Sequence, residues 1–259
     1  MFFKKKKEEP IFLDCYTASE FAYNYAKIDY SHKYFPEWWK AEVKFNEDGG
    51  QTIKNCAAFV DYYSKGIVIP LWGEVEINVN PIGSEGDIYN WKSSNMDFNL
   101  HEGSHSQNQW SGFANKNKTN IKFISPWLFK TREMAYFTWT QPTWSQPETF
   151  NGLTALPGVT QYKSQMITNI NYVVEQNEKT QNFNFQPLTP MAILHPMTER
   201  KIEIRCHFIS KEKYKTMTYI SGSMLFGHDE AIKYGKRDFH INREKFWKKT
   251  DEINKCPFE

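Results

Sequence analysis

The stretch from Leu156 to Phe208 constrains the fold more than any other part of the chain. Ile202, Ile204, Cys206 and Phe208 alternate there with Glu203, Arg205 and His207, a period of two that puts successive side chains on opposite faces of a strand. Upstream lie Leu156-Pro157-Gly158-Val159, an apolar run from Met166 to Val174, and Pro187-Leu188-Thr189-Pro190 leading into Met191-Ala192-Ile193-Leu194-His195-Pro196. Pro, Gly or a polar cluster sets off each run, so the segment reads as a strand–turn–strand meander closing a β-sheet body. No motif in it names a substrate or a reaction.

The first half mixes strand and helix signals. Ile11 to Tyr16 reads as a strand, and Thr17-Ala18-Ser19-Glu20 has the spacing of a capping box, with Thr17 as the cap of a short helix toward Ala26. Phe35-Pro36-Glu37-Trp38-Trp39-Lys40 reads as a compact turn whose tryptophans wedge against the body. Thr52 to Lys65 has helical periodicity through Ile53, Cys56, Ala57 and Val60, with Gly66 as its stop. Ile67 to Leu71 is apolar throughout, and Pro70 in it argues for an edge or a bulge. Val75, Ile77 and Val79 then alternate with Glu74, Glu76 and Asn78, and the turn at Asn80 to Gly86 predicts a hairpin with Tyr89 to Lys92. Further strands are expected at Met96 to Leu100, Ile121 to Phe129 and Met134 to Trp139, and a long loop from Thr140 to Gly152. Asp229 to Tyr234 and Asn242 to Asn254 read as helices, giving a β domain over residues 1–226 and a helical appendage over 227–259.

A chain of 259 residues can bury a sizeable core. Its mean hydropathy is −0.68, yet 20 Phe, 14 Tyr and 9 Trp let a modest number of large side chains build that core. Basic and acidic residues balance, 32 against 30, which argues against the strongly basic face of a nucleic-acid binder. Lys4 to Lys7 is followed at once by Glu8 and Glu9 and reads as a solvated terminus; Lys245 to Lys249 is the second basic cluster. Cys15, Cys56, Cys206 and Cys256 contain no Cys-x-x-Cys pair, so neither a zinc ribbon nor a dense disulfide framework is expected. Met1-Phe2-Phe3 is too short for a signal-peptide core and no apolar run approaches a membrane span. A soluble protein of a reducing cytoplasm, or of a particle assembled there, is the expectation.

His101-Glu102-Gly103-Ser104-His105 matches the His-Glu-x-x-His string of zinc proteases. That chemistry needs both imidazoles on one helical face, whereas these residues follow a strand-like alternation and enclose Gly103 and Ser104, poor helix formers. On a strand or loop, His101 and His105, with His195 or His207 as a distant third, can instead supply a divalent-metal site of the double-stranded β-helix type. The plainer alternative is loop or core histidines making ordinary hydrogen bonds. Arg200, just past the Met191 to His195 run, has the planar fork that binds anions, but it more often pairs with a neighbouring carboxylate or holds turn carbonyls. Trp127, beside Pro126, either lines a cleft or fills the core. No phosphate loop, dinucleotide fingerprint or nucleophile elbow is present.

Several of these pieces occur together elsewhere. They include Pro36-Glu37-Trp38-Trp39-Lys40, Thr52-Ile53-Lys54-Asn55-Cys56, Ile69-Pro70-Leu71-Trp72, His105-Ser106 with Gln109, Ser125-Pro126-Trp127, Leu156-Pro157-Gly158-Val159 and Thr189-Pro190-Met191. On them the chain resembles, nearly end to end, a family of uncharacterised proteins carried by tailed phages of marine bacteria, especially cyanobacterial ones. In the family pattern Pro follows the Cys and Gly precedes the Thr-Pro; this chain has Ala57 and Leu188 there. The resemblance implies a phage context and a β-sandwich but no activity, so it carries over no catalytic residue.

The resulting expectation is an α+β, mostly β fold: a β-sandwich of jelly-roll or double-stranded β-helix type, with a helix near 52–65 and a helical C-terminus. The expected function is a non-enzymatic binding or minor structural protein of a phage, acting in host cytoplasm or virion. The alternatives are a metal-dependent, cupin-like enzyme centred on His105, and a takeover factor that binds a host protein. Trp72, His105, Gln109, Trp127 and Arg200 are the candidate ligand-binding residues, and His101, His105 and His195 the candidate metal ligands. A small ligand or a protein partner is expected, nucleic acid and membrane are not.

Overall fold

The computed structural model describes residues 8–85, 87–94, 117–145, 150–163 and 165–226, the last eight by backbone alone. The fold is mostly β, with several antiparallel sheets and a few helices. Three sheets enclose one core. The first has the order β13 (Ile202–Phe208), β1 (Ile11–Thr17), β6 (Lys118–Thr131), β10 (Ile167–Glu175), β8 (Leu153–Ala155). The second runs β2 (Asp29–Tyr30), β3 (Ile67–Pro70), β12 (Pro190–Pro196), β7 (Tyr136–Thr140), β9 (Gly158–Gln161). A third, three-stranded sheet is β11 (Gln181–Phe185), β4 (Glu74–Val79), β5 (Tyr89–Ser94).

Alternation decides which side of each strand enters the core. Val75, Ile77 and Val79 of β4 are fully buried while Glu74, Glu76 and Asn78 face outward, and Phe183 and Phe185 of β11 join the buried side. Phe129 of the first sheet and Phe137 of the second both pack on the Tyr162 ring, at 4.9 and 5.3 Å between centroids. The Tyr172 hydroxyl of β10 donates to the Met191 carbonyl of β12, a further tie between the two sheets. The unbroken apolar runs of β3 and β12 have a separate cause: Ile67, Ile69 and Leu194 face the main core, whereas Val68 and Ile193 pack outward against Phe59 and Tyr63 of α3 (Ala57–Lys65). A strand buried on both faces shows no alternation.

The expected meander is overturned. No two consecutive strands from β9 to β13 pair with one another: β9 joins β7, β10 joins β6 and β8, β11 joins β4, β12 joins β3 and β7, and β13 lies parallel to β1. Periodicity reports a strand's buried face, not its partner, and the connections at 162–166, 186–189 and 197–201 carry the chain from sheet to sheet. The expected hairpin pairing is present, with β4 and β5 antiparallel from Glu74–Ser94 to Val79–Tyr89. β3 lies between β2 and β12, so the edge reading of Pro70 is not met; Pro70 is its last residue, paired with Pro190 at a register shift between Pro190 and Ala192, which is the bulge reading.

Two local readings also change. Thr17 stays in β1, its hydroxyl accepting from the Ser19 N–H, and Ser19 caps α1 (Glu20–Asn24) by accepting from the Ala22 N–H at 3.0 Å. The helix expected over Thr52–Lys65 divides into a 3-10 turn, Ile53–Asn55, and α3. Lys54 and Asn55 are held by the carbonyls of Trp39, Lys40 and Lys44, and Cys56 is extended, at φ −72 and ψ 107, before α3 begins. The 36–40 turn contains α2 (Glu37–Ala41).

At the chain's described end, α4 (Lys211–Phe226) starts where the Ser210 hydroxyl accepts from the Lys213 N–H. Its Tyr214 and Met217 bury against Tyr16, Leu128, Met166 and Ile209, covering the outer side of the first sheet. The helices expected at 229–234 and 242–254, and the strand at 96–100, lie outside the described residues.

Candidate binding cleft

The first sheet ends on edge strand β13 and the second on edge strand β2. Where these edges meet, a cleft of about 600 Å³ opens between Tyr30, His32, Ser64, Lys65 and Ile67 on one side and the turn from Pro196 to Ile202 on the other. Gly66 makes this junction possible. A Cβ there would meet Ile193 Cγ2 and Ser31 Oγ at 2.5 Å each, so only glycine lets the chain leave α3 and enter β3 against them. Ser31 then bridges to the helix end, its hydroxyl donating to the Tyr63 carbonyl at 2.5 Å and its N–H to the Gly66 carbonyl at 2.9 Å. The Tyr30 hydroxyl crosses the seam to the Ile202 carbonyl at 2.9 Å, and its ring stacks on His32 with centroids 5.7 Å apart.

Arg200 on the far wall is committed to the protein. Its Nε and Nη2 donate to the Glu9 carbonyl at 2.9 and 2.7 Å, and its guanidinium forks onto both carboxylate oxygens of Glu133. That pairing raises the Arg200 pKa and ties the β12–β13 turn to the β6–β7 turn and the start of β1. The anion-binding reading therefore gives way to the structural one. The rim's exchangeable cations are Lys65, with Asp61 at 3.8 Å, and Lys201, with Glu203 at 2.9 Å. Exposed pairs of this kind hold weakly, so a ligand anion can replace the carboxylate. The cleft combines an aromatic shelf, an apolar floor of Ile67 and Ile202, and ammonium groups at the rim. Its hydroxyl at Ser64 donates to the Asp61 carbonyl at 3.3 Å, not to a base.

The other expected site residues are dispersed. Trp72 is fully buried in the main core, its indole N–H without a hydrogen-bond partner among the described residues. Trp127 is equally buried, and its N–H donates to the Ala26 carbonyl at 3.1 Å. Both indoles are packing residues. Pro126 has no N–H for the ladder, so β6 bulges there, passing from Leu128–Ile167 to Ile124–Asn169, and the bulge turns Trp127 inward. His195 stands apart from the cleft, its Nε2 3.0 Å from the Tyr62 carbonyl and its ring 4.6 Å from the Tyr62 ring. Burial lowers its pKa, which keeps it neutral with the Nε2 proton on that carbonyl. His101, His105 and Gln109 lie outside the described residues. Among the described residues no three His, Cys, Asp or Glu side chains gather as metal ligands would.

An aromatic surface beside α3 was not anticipated as a site. Trp39 wedges inward, stacked on Phe35 at 4.2 Å, whereas Trp38 and Trp144 stay 40% and 45% exposed over Phe59. The Trp38 indole N–H donates to the Trp144 carbonyl at 3.0 Å. The adjacent Trp38-Trp39 pair was the available signal: neighbouring positions on a helix point in different directions, so one of two must face out.

No helix among the described residues is long and apolar enough to cross a membrane. Comparison with protein-family models and with curated proteins gives no match.

Proposed function

We propose that this chain is a non-enzymatic binding protein of a tailed phage, and that its cleft takes a small, planar, anionic ligand. One observation carries the ligand class: the Tyr30–His32 stack and the weakly held ammonium groups of Lys65 and Lys201 border the same cleft. A volume of about 600 Å³ suits a drug-sized molecule. The phage context rests on the sequence resemblance alone. The two five-stranded sheets, sharing one core and joined by Tyr172, Phe129 and Phe137, support reading the body as a sandwich of jelly-roll type.

Thermal-shift titration with benzoate and adenosine monophosphate, beside neutral benzamide and adenosine, tests the ligand class. Saturable, salt-sensitive stabilisation by the anions is expected. Lys65→Ala/Lys201→Ala should abolish the anion preference, and Tyr30→Leu should weaken anions and neutral analogues alike. Equal response to all four probes, or to none, refutes it. Mass spectrometry of purified particles and of infected cells tests the phage context.

The half-exposed Trp38–Trp144 pair favours a second reading, a takeover factor docking on a host protein, because exposed tryptophans often anchor interfaces. Cross-linking in infected cells that a Trp38→Ala/Trp144→Ala variant leaves unchanged would rule it out.

A further inference from the structure

We propose that Cys15 and Cys206 form a peroxide-oxidisable dithiol that closes to an intramolecular disulfide between β1 and β13. The two residues are direct Cα partners in the parallel β1–β13 pair. Neighbouring strands lie roughly 4.8 Å apart, inside the roughly 4.4–6.8 Å Cα separation that a disulfide spans. Both thiols face the core side of the sheet, Cys15 fully buried and Cys206 half-buried against the sheet seam. Cys15 Sγ sits 3.7 Å from the Leu13 carbonyl and Cys206 Sγ 3.7 Å from that of Ile28. β13 is an edge strand, so no strand ladder on its other side opposes the small shift that bond formation requires; only side-chain ties, the Tyr30 hydroxyl on the Ile202 carbonyl and the Cys206 thiol on the Ile28 carbonyl, hold it there.

The surroundings divide the roles. The Cys15 thiol, acting as donor, lowers the Cys206 pKa against the opposing effect of burial, helped by the charge of Lys27. Burial, and then Cys206 itself, raises that of Cys15. Cys206 is the attacking thiolate and Cys15 the resolving thiol. The Cys206 sulfur attacks hydrogen peroxide; an S–O bond forms, the O–O bond breaks and hydroxide leaves, giving the sulfenic acid. The Cys15 sulfur then attacks the Cys206 sulfur. The S–S bond forms, the S–O bond breaks, and the departing hydroxide takes the Cys15 proton as water. Two thiols are oxidised, and one peroxide is reduced to water.

The test treats reduced, full-length protein with graded hydrogen peroxide, blocks remaining thiols with iodoacetamide under denaturing conditions, and maps the peptides. A Cys15–Cys206 cross-link that dithiothreitol reverses is expected, accompanied by a mass loss of two hydrogens and unaffected by Cys56→Ala. In Cys15→Ser, Cys206 should stop at a sulfenic acid that dimedone traps. The wild-type map decides the matter even where that variant fails to fold. Preferential oxidation of Cys56 or Cys256 without the cross-link would overturn the proposal. So would over-oxidation of Cys206 in the wild type as readily as in Cys15→Ser.

Discussion

Replacing Leu188 by glycine and, separately, by alanine measures backbone strain at the connection from β11 to β12. Leu188 is the one non-glycine with positive φ, +69, among the described residues. Three hydrogen bonds impose that conformation: Leu188 N–H to the Leu71 carbonyl at 2.8 Å, Leu71 N–H to that of Thr189 at 2.8 Å, and Thr189 N–H to that of Gln186 at 3.2 Å. The side chain is 45% exposed, so both variants give up the same modest apolar contact. The difference between them isolates the backbone. At an ordinary position alanine is more stable than glycine by roughly 0.5–1 kcal/mol, because glycine loses more freedom on folding. In the left-handed region a Cβ costs roughly 1–2 kcal/mol. The sum reverses the ordinary order and leaves Leu188→Gly ahead of Leu188→Ala by about 0.7 kcal/mol. Urea unfolding at equal m-values reads it directly, and the melting temperatures should differ by about 2 °C. If the alanine variant equals or exceeds the glycine variant, the strain is not there.

Three further outcomes are expected. Ala57→Pro should stabilise by about 0.5 kcal/mol in chemical denaturation, since position 57 opens α3 and Cys56 before it is already extended; a loss of stability would show that the Ala57 N–H is in use. Gly66→Ala should destabilise by about 2 kcal/mol, because the new methyl overlaps Ile193 and Ser31 in a packed junction. His195 titrates lower in the folded protein than the usual 6.5 because of burial, so below about pH 6.5 the unfolded chain takes up the proton first and stability falls, until pH passes the folded pKa. Unfolding at about pH 7.5 and about pH 5.5 should show less of this loss in His195→Gln, whose amide can still donate to the Tyr62 carbonyl.

Strand existence was legible because pleating writes itself into sequence. Ile202 to Phe208 alternates and is β13, and Ile121 to Phe129 lies within β6. Partnership was not, because Cys15 meets Cys206 and Tyr30 meets Ile202 across well over half the chain. Nothing local encodes such pairings. α4 carried a signal that was passed over: Ser210 as a cap, then Tyr214 and Met217 three residues apart on one face. At the cleft, Arg200 was legible as a fork seeking a carboxylate. That the carboxylate is Glu133, and that Tyr30 and His32 stand opposite, depends on three separate turns converging.

The cleft and the cysteine pair belong to one architectural fact. A body built from separate sheets has open seams where their edge strands run side by side, and an edge carries unpaired backbone groups that something must cover. Here the seam between β2 and β13 is closed by side chains: the Tyr30 hydroxyl on the Ile202 carbonyl, and the Cys206 thiol on the Ile28 carbonyl. Side-chain ties leave room between them, which is the cleft, and they can be exchanged without unfolding the sheets. Ile202 and Cys206 lie on the same face of β13, four residues apart, so a bond from Cys206 to Cys15 would fix the strand that forms one wall of the cleft. Ligand affinity and cysteine oxidation state should therefore be linked: the disulfide form should bind with altered affinity, and bound ligand should shift the Cys15–Cys206 thiol–disulfide equilibrium by the same factor. Titrating the anionic probe into reduced and oxidised protein side by side reads that coupling, and identical affinities would separate the two sites.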